Sequence, residues 1–235
     1  MIAHSWLSIG HQYSYKFISL HLDPTLSYSK LKDLMSLSES SMLNKLRPFI
    51  AKYINLLSQN IDLNPNIITV IGLILSFFAV LLSATRKCVG AVPFLIALSG
   101  IADVLDGAIA RVKNRVTAWG GVLDSFCDRI EEFNYLFSLT LLGVNSYLGY
   151  LAILVSFLIS YLRALGEERG IRVEGVGILE RGERVILIFI AALVIVINGG
   201  YGASVADMIV LALVMLGVVT VVQRLYYILK ELRMS

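Results

Sequence analysis

The sequence predicts an all-α polytopic membrane protein with six transmembrane helices, preceded by an amphipathic helix at the membrane interface. Three observations carry this prediction. Hydrophobic residues make up 57% of the 235 and mean hydropathy is +0.77, outside the range of soluble domains. The apolar residues fall in stretches of roughly 16 to 24, enough to cross a hydrocarbon core of about 30 Å. Charges gather between these stretches instead of spreading along the chain.

Residues 1–41 are polar, contain tyrosines, and end in Ser36, Ser38, Ser40 and Ser41. They lack the basic-then-apolar order of a signal peptide, so they read as a weakly structured extension, with Met35 and Met42 as alternative starts to Met1. The membrane domain is expected over 42–235. Its first element, 42–58, puts Leu43, Leu46, Phe49, Ile50, Tyr53, Ile54 and Leu57 on one side and Lys45, Arg47 and Lys52 elsewhere, the pattern of an interfacial helix. Leu63-Asn64-Pro65-Asn66 ends that helix and caps the first span, with Pro65 in its first turn.

Spans follow at 65–85, 89–110, 118–141, 147–162, 185–197 and 204–228, the fifth needing a start near Glu180 to be long enough. Arg111, Lys113, Arg115, Arg163, Arg169, Arg172, Arg181, Arg184, Arg224, Lys230 and Arg233 share one side with the N-terminal basic residues. Only Arg86 and Lys87 fall on the other, so the positive-inside rule puts both termini in the cytoplasm. The net charge of +3 reflects this topology and anionic headgroups or substrates; nothing points to nucleic acid. The outer loops 143–146 and 198–202 are short and Gly-containing, whereas the inner loop 163–184 alternates arginine with glutamate and glycine, more charge than a turn needs.

Cys88 and Cys127 fall at opposite ends of their helices without metal-ligand spacing and read as packing residues. His4, His11 and His21 all precede the membrane region, so acid–base chemistry in the core must use carboxylates.

Four such carboxylates are conspicuous: Asp103, Asp106, Asp124 and Asp128. An ionisable side chain at membrane depth costs several kcal/mol unless paired, hydrated or bound to a cation. Asp103 and Asp106 are i,i+3 neighbours on one helix, and Gly107, Ala110 and Arg111 continue their stripe; Asp124 and Asp128 are i,i+4 neighbours on the next. Bringing the two faces together makes a pocket that repels itself without a hard divalent cation, Mg²⁺ or Mn²⁺. Gly107, Ala110 and, opposite them, Gly120 leave room for a flat base or a diphosphate to approach the backbone. The Arg111 guanidinium can hold a phosphate oxygen.

The pattern Asp103-x2-Asp106-Gly107-x2-Ala110-Arg111-x8-Gly120-x3-Asp124-x3-Asp128 resembles, without a departure, the signature of the CDP-alcohol phosphotransferase family. Pro65-Asn66-x2-Thr69-x2-Gly72 at the first span resembles it as well, and the likeness extends over about 42–233. The resemblance implies transfer of a phosphatidyl or archaetidyl group from a CDP-linked lipid to an alcohol, with release of CMP. It makes Asp103, Asp106 and Asp124 principal metal ligands. Asp128 would touch the metal site and take the proton from the acceptor. It also implies two cations, CDP contacts from Gly107, Ala110, Arg111, Thr117, Asn66 and Thr69, and a homodimer among membrane lipids. Ser160-Tyr161-Leu162-Arg163-Ala164, Glu180-Arg181-Gly182-Glu183-Arg184 and Val221-Val222-Gln223-Arg224 are similar to the branch using inositol 1-phosphate. Arg163, Arg181 and Arg224 would bind the phosphate of that polyol phosphate, although bacterial members usually carry lysine at the first position. Glycerol 3-phosphate, serine and free inositol remain alternative acceptors.

Simpler roles stand beside these. The aspartates could pair with Arg111, Lys113, Arg115 or Arg129, and Glu131 and Glu132 with Arg129 or a neighbouring helix. Arg163, Arg181 and Arg224 could mark topology alone. Asn66, Thr69 and Thr117 could be helix caps. A cation-coupled transporter would also carry carboxylates in a bundle, but nearer mid-membrane and on broken helices.

Overall fold

The computed structural model describes residues 62–234, together with Ile54 and Ser58, both helical. The rest of the expected interfacial helix 42–58, and the boundary at residues 41 and 42, lie outside the described residues. Among the described residues there are six long helices and no strand. We label them α1 (Pro65–Thr85), α2 (Val92–Val112), α3 (Ala118–Leu141), α4 (Ser146–Glu168), α5 (Arg181–Asn198) and α6 (Gly202–Met234). Single 3₁₀ turns, Val89–Ala91 and Gly199–Tyr201, lead into α2 and α6.

The helix ends follow from local chemistry. Asn64 caps α1 by accepting a hydrogen bond from the Asn66 amide, with Pro65 in the first turn, where its missing N–H costs nothing. Asn145 does the same for α4 through the Tyr147 amide at 2.9 Å. α4 and α6 run past the expected ends at Leu162 and Ile228 to Glu168 and Met234. The apolar run stops at the membrane surface while the helix continues, supported in α4 by the i,i+4 pair of Arg163 with Glu167 at 2.8 Å. α5 begins at Arg181, as its length required.

Two groups of three helices form the bundle. α1 packs on α2 and α3, α6 packs on α4 and α5, and the groups meet through α3 on α4 and α2 on α5. Small residues permit the close approaches: a Cβ at Gly72 would stand 3.4 Å from the Ala102 Cβ, and one at Gly217 would collide with Val155. Ala79, Ile96, Leu136, Ala152, Ile188 and Leu213 contribute to a core shared by all six helices. Phe77, Phe78, Phe94, Tyr150 and Met215 are exposed on the outside, as expected of surfaces that face lipid.

Four stretches are long and apolar enough to cross a membrane: Pro65–Thr85, Val89–Val112, Ser146–Glu168 and Arg181–Met234, the last holding both α5 and α6. α3 is the exception because it carries Asp124, Asp128, Arg129, Glu131 and Glu132. The chain is an integral membrane protein. Cys88 is exposed in a left-handed turn (φ 49°) and so is not the packing residue expected, whereas Cys127 is buried.

Candidate active site between α2, α3 and α5

Asp103 comes from the middle of α2, and Asp124 and Asp128 from the first half of α3. Each offers an oxygen, and the three oxygens lie within 4.8 Å of one another. Asp106 takes a different course: buried at 3% exposure, it accepts a short hydrogen bond from the Thr69 hydroxyl of α1. The structure thus gathers three of the four aspartates and ties the fourth to the first helix. Thr69 is no cap; Asn64 performs that task, and the Thr69 hydroxyl also lies 3.2 Å from the Pro65 carbonyl.

The partner of the gathered carboxylates is Arg181, the first residue of α5. Its Nη1 is paired with Asp103 and lies 2.8 Å from Asp128 Oδ1, and its Nη2 lies 3.3 Å from Glu131 Oε2. A cation at a helix N-terminus opposes the helix dipole, so these carboxylates also offset an unfavourable placement. Of the basic residues considered from sequence alone, Arg129 approaches Asp128 only to 3.7 Å and Arg115 pairs with Asp62 at 3.2 Å. Asp128 Oδ1 is buried without a hydrogen bond, because Arg181 Nη1 stands near it but off the bonding direction. Three converging hard oxygen donors fit Mg²⁺ or Mn²⁺.

Two cavities adjoin the cluster, and Asp124 lines both. The first, about 270 Å³, is lined by Asn66, Thr69, Asp106, Gly107, Arg111 and Thr117, among others. Two of its glycines, Gly107 and Gly120, are closely approached by neighbouring side chains. A Cβ at Gly107 would come 3.2 Å from Arg111 Nη1, and one at Gly120 would come 2.9 Å from Thr117 Oγ1 and 3.0 Å from Asn66 Oδ1. Thr117 caps α3, accepting from the Gly120 amide at 3.0 Å, and lines the cavity as well. Ala110 completes the expected set.

The second cavity, about 380 Å³, brings Arg163, Arg181 and Arg224 together from three helices. Their guanidinium groups are differently engaged. Arg163 holds Glu167, Arg181 holds the aspartates, and Arg224 donates to the Val176 and Ile159 carbonyls at 2.8 Å each. Arg184, which the motif did not single out, lines the same cavity, is 1% exposed and forms a two-pronged pair with Glu132. A signal for this pair existed in the sequence: two glutamates in the apolar half of α3 demand cationic partners, and α5 opens with two arginines.

Similarity to known proteins follows the same geometry. The profile of the CDP-alcohol phosphatidyltransferase family matches residues 62–226, which include every motif position above. The chain belongs to this family. Among curated family members, the archaetidylinositol phosphate synthase of Methanothermobacter thermautotrophicus is 36% identical over 196 residues, covering 82% of this chain and 97% of the relative. That of Pyrococcus horikoshii is 32% identical over 198 residues, covering 83% and 100%. The crystal structure of Mycobacterium tuberculosis phosphatidylinositol phosphate synthase with CDP-DAG bound superposes with a TM-score of 0.63 at 27% identity. It covers 75% of this chain and 94% of that one. The same enzyme with manganese and citrate gives 0.61 at 29% identity, covering 76% and 87%.

Proposed function

We propose that this CDP-alcohol phosphatidyltransferase family member moves the phosphatidyl or archaetidyl group of a CDP-linked lipid onto a polyol phosphate, preferentially inositol 1-phosphate, and releases CMP. The observation carrying this reading is the carboxylate cluster between two unlike cavities. One is open and glycine-lined, suited to a nucleotide and its diphosphate; the other is walled by arginines, suited to an anionic acceptor. The acceptor hydroxyl oxygen would attack the lipid-side phosphorus, forming one P–O bond as the bond to the bridging oxygen breaks and CMP leaves with that oxygen.

Asp128 would receive the hydroxyl proton; that its carboxylate belongs to the cluster and also lines the arginine-walled cavity supports that role. Asp103, Asp124 and Asp128, with Asp106 alongside, would hold one or two Mg²⁺ or Mn²⁺ ions. When bound, such ions supply positive charge to the diphosphate and the leaving group. Thr69 keeps the Asp106 carboxylate oriented, while Gly107 and Gly120 leave the backbone open to the nucleotide. Arg111, Thr117 and Asn66 would contact CDP. Arg163, Arg181 and Arg224 would hold the acceptor phosphate, so rate comes from positioning two substrates across one carboxylate wall.

The same reading takes α1 to α6 as six spans and residues 42–235 as one membrane domain. It puts the site at the cytoplasmic face, where the basic loops gather, and pairs two chains through membrane helices. α2 and α3 run unbroken through the carboxylates, unlike the interrupted helices of ion-coupled transporters.

An acceptor panel tests the proposal. Purified protein with a CDP-linked lipid and Mg²⁺ or Mn²⁺ should release CMP with inositol 1-phosphate, and far less with free inositol, serine or glycerol 3-phosphate. Strong turnover in excess chelator, or efficient use of serine with no use of the phosphorylated polyol, would overturn it.

A further inference from the structure

Arg181 stands at the boundary of both halves of the site. Its Nη1 is on Asp103 and beside Asp128 Oδ1, and these are two of the three carboxylates that converge for a divalent cation. Yet Arg181 Nε is buried without a hydrogen bond, and Asp128 Oδ1 has only the ion pair with Arg181 Nη1 at 2.8 Å. Buried polar groups are nearly always satisfied, and each orphan costs about 1–3 kcal/mol. A guanidinium held in this way has reason to occupy a second position.

That position is defined by the cavity Arg181 shares with Arg163 and Arg224. Glu131 supplies the pivot: it is 1% exposed, its Oε2 accepts from the Tyr135 hydroxyl at 3.2 Å, and Tyr135 is in turn held by Ser99 at 2.6 Å. Its Oε1 lies against Gly72, where a Cβ would stand 2.9 Å away, so the carboxylate fills space that any larger residue would occupy. Arg181 Nη2 contacts this carboxylate at 3.3 Å, a separate contact from those that Nη1 makes with the aspartates.

We propose that the Arg181 guanidinium and a divalent cation exchange on Asp103 and Asp128, and that the arriving cation turns Arg181 about Glu131 toward the acceptor's phosphate. The proposal rests on the acceptor reading above for its second half and on contact geometry for its first. A cation held by these carboxylates would stand close to a guanidinium in contact with two of them, and the two positive charges would repel each other. Glu131 is thereby a positioning residue, acting on the acceptor only through Arg181. By linkage, cation and acceptor phosphate must strengthen each other's binding by one common factor.

The test is Mn²⁺ binding to the full-length protein in detergent, with free Mn²⁺ read by electron paramagnetic resonance in the absence of substrates. Arg181→Met should bind Mn²⁺ about tenfold or more tighter than wild type, while Arg163→Met, which removes an equal charge from the same cavity without touching the aspartates, should stay within about threefold. Arg181→Met binding no tighter than Arg163→Met would overturn the exchange. A second measurement needs no variant: wild-type affinity for inositol 1-phosphate should rise at least about fivefold when Mn²⁺ replaces chelator. Equal affinity in both conditions, in a preparation that makes CMP with inositol 1-phosphate, would overturn the proposal even if Arg181→Met failed to fold. CMP release in the same preparations separates the two readings. Unchanged Mn²⁺ affinity in a preparation that makes CMP rejects the exchange alone. Tighter Mn²⁺ binding in one that makes CMP from no acceptor supports the exchange and locates the failure in the proposed function.

Discussion

Asp128 and Asp106 show how two carboxylates from one motif are given different tasks by their neighbours. Asp128 stands in the cluster beside Arg181, whereas Asp106 is turned to Thr69 and buried. Asp128→Asn keeps the shape and most oxygen donors but removes the proton acceptor. It should therefore lower the rate of CMP release by about 10²–10⁴-fold. Binding of the CDP-linked lipid, measured by calorimetry, should stay close to wild type. Full activity of this variant would remove Asp128 from the role of base. The four aspartates were legible in the sequence because carboxylates are so costly in an apolar chain. Their separation into three and one was not, since it depends on a hydroxyl 37 positions away in the chain from Asp106.

At the scale of the element, α3 is the helix that hydrophobicity alone would leave outside the membrane. Its acidic residues are matched by the first turn of α5: Arg181 faces Glu131 and the aspartates, and Arg184 faces Glu132. The second pair is buried on both sides, with side chains 2% and 5% exposed. Breaking such a pair leaves an uncompensated charge, so Arg184→Met should destabilise the bundle by about 3–5 kcal/mol. Replacing both residues by apolar ones of similar size, Arg184→Met with Glu132→Leu, should recover most of that loss. Thermal unfolding in detergent of the single and double variants measures both effects. A double variant as unstable as the single one would show that the loss is not the orphaned charge. The sequence marked Glu131 and Glu132 as needing partners, but periodicity cannot say which helix supplies them.

For the whole molecule, the asymmetry of basic residues makes an orientation prediction that the structure sharpens. Asn145 would be a poor labelling site, since its side chain caps α4 and its amide donates to Asp207 at 2.8 Å. Tyr147, 81% exposed at the same end of the molecule, serves instead, and Arg172, 84% exposed by side chain in the charged loop, serves for the other face. In a Cys88→Ser background, needed because Cys88 is exposed, Arg172→Cys should react with a membrane-impermeant thiol reagent only from the cytoplasmic side. Tyr147→Cys should react only from the outside. The reverse pattern would place the site on the wrong face for cytosolic substrates.

By itself the sequence determined the all-helical class, the positions of six helices to within about six residues at their ends, and the aspartate–glycine–arginine pattern of the site. Those properties are written in local periodicity and in the cost of placing charge among apolar residues. Only the tertiary structure decided which charges meet. Asp103 and Arg181 lie 78 positions apart, and Arg184 and Glu132 lie 52 apart. Their pairing depends on how α2, α3 and α5 converge, which is set by the shared core and the small-residue contacts between helices. For that reason Arg181 read as one of three equivalent phosphate ligands in the sequence, and proves in the fold to be the residue that joins the carboxylate cluster to the arginine-lined cavity.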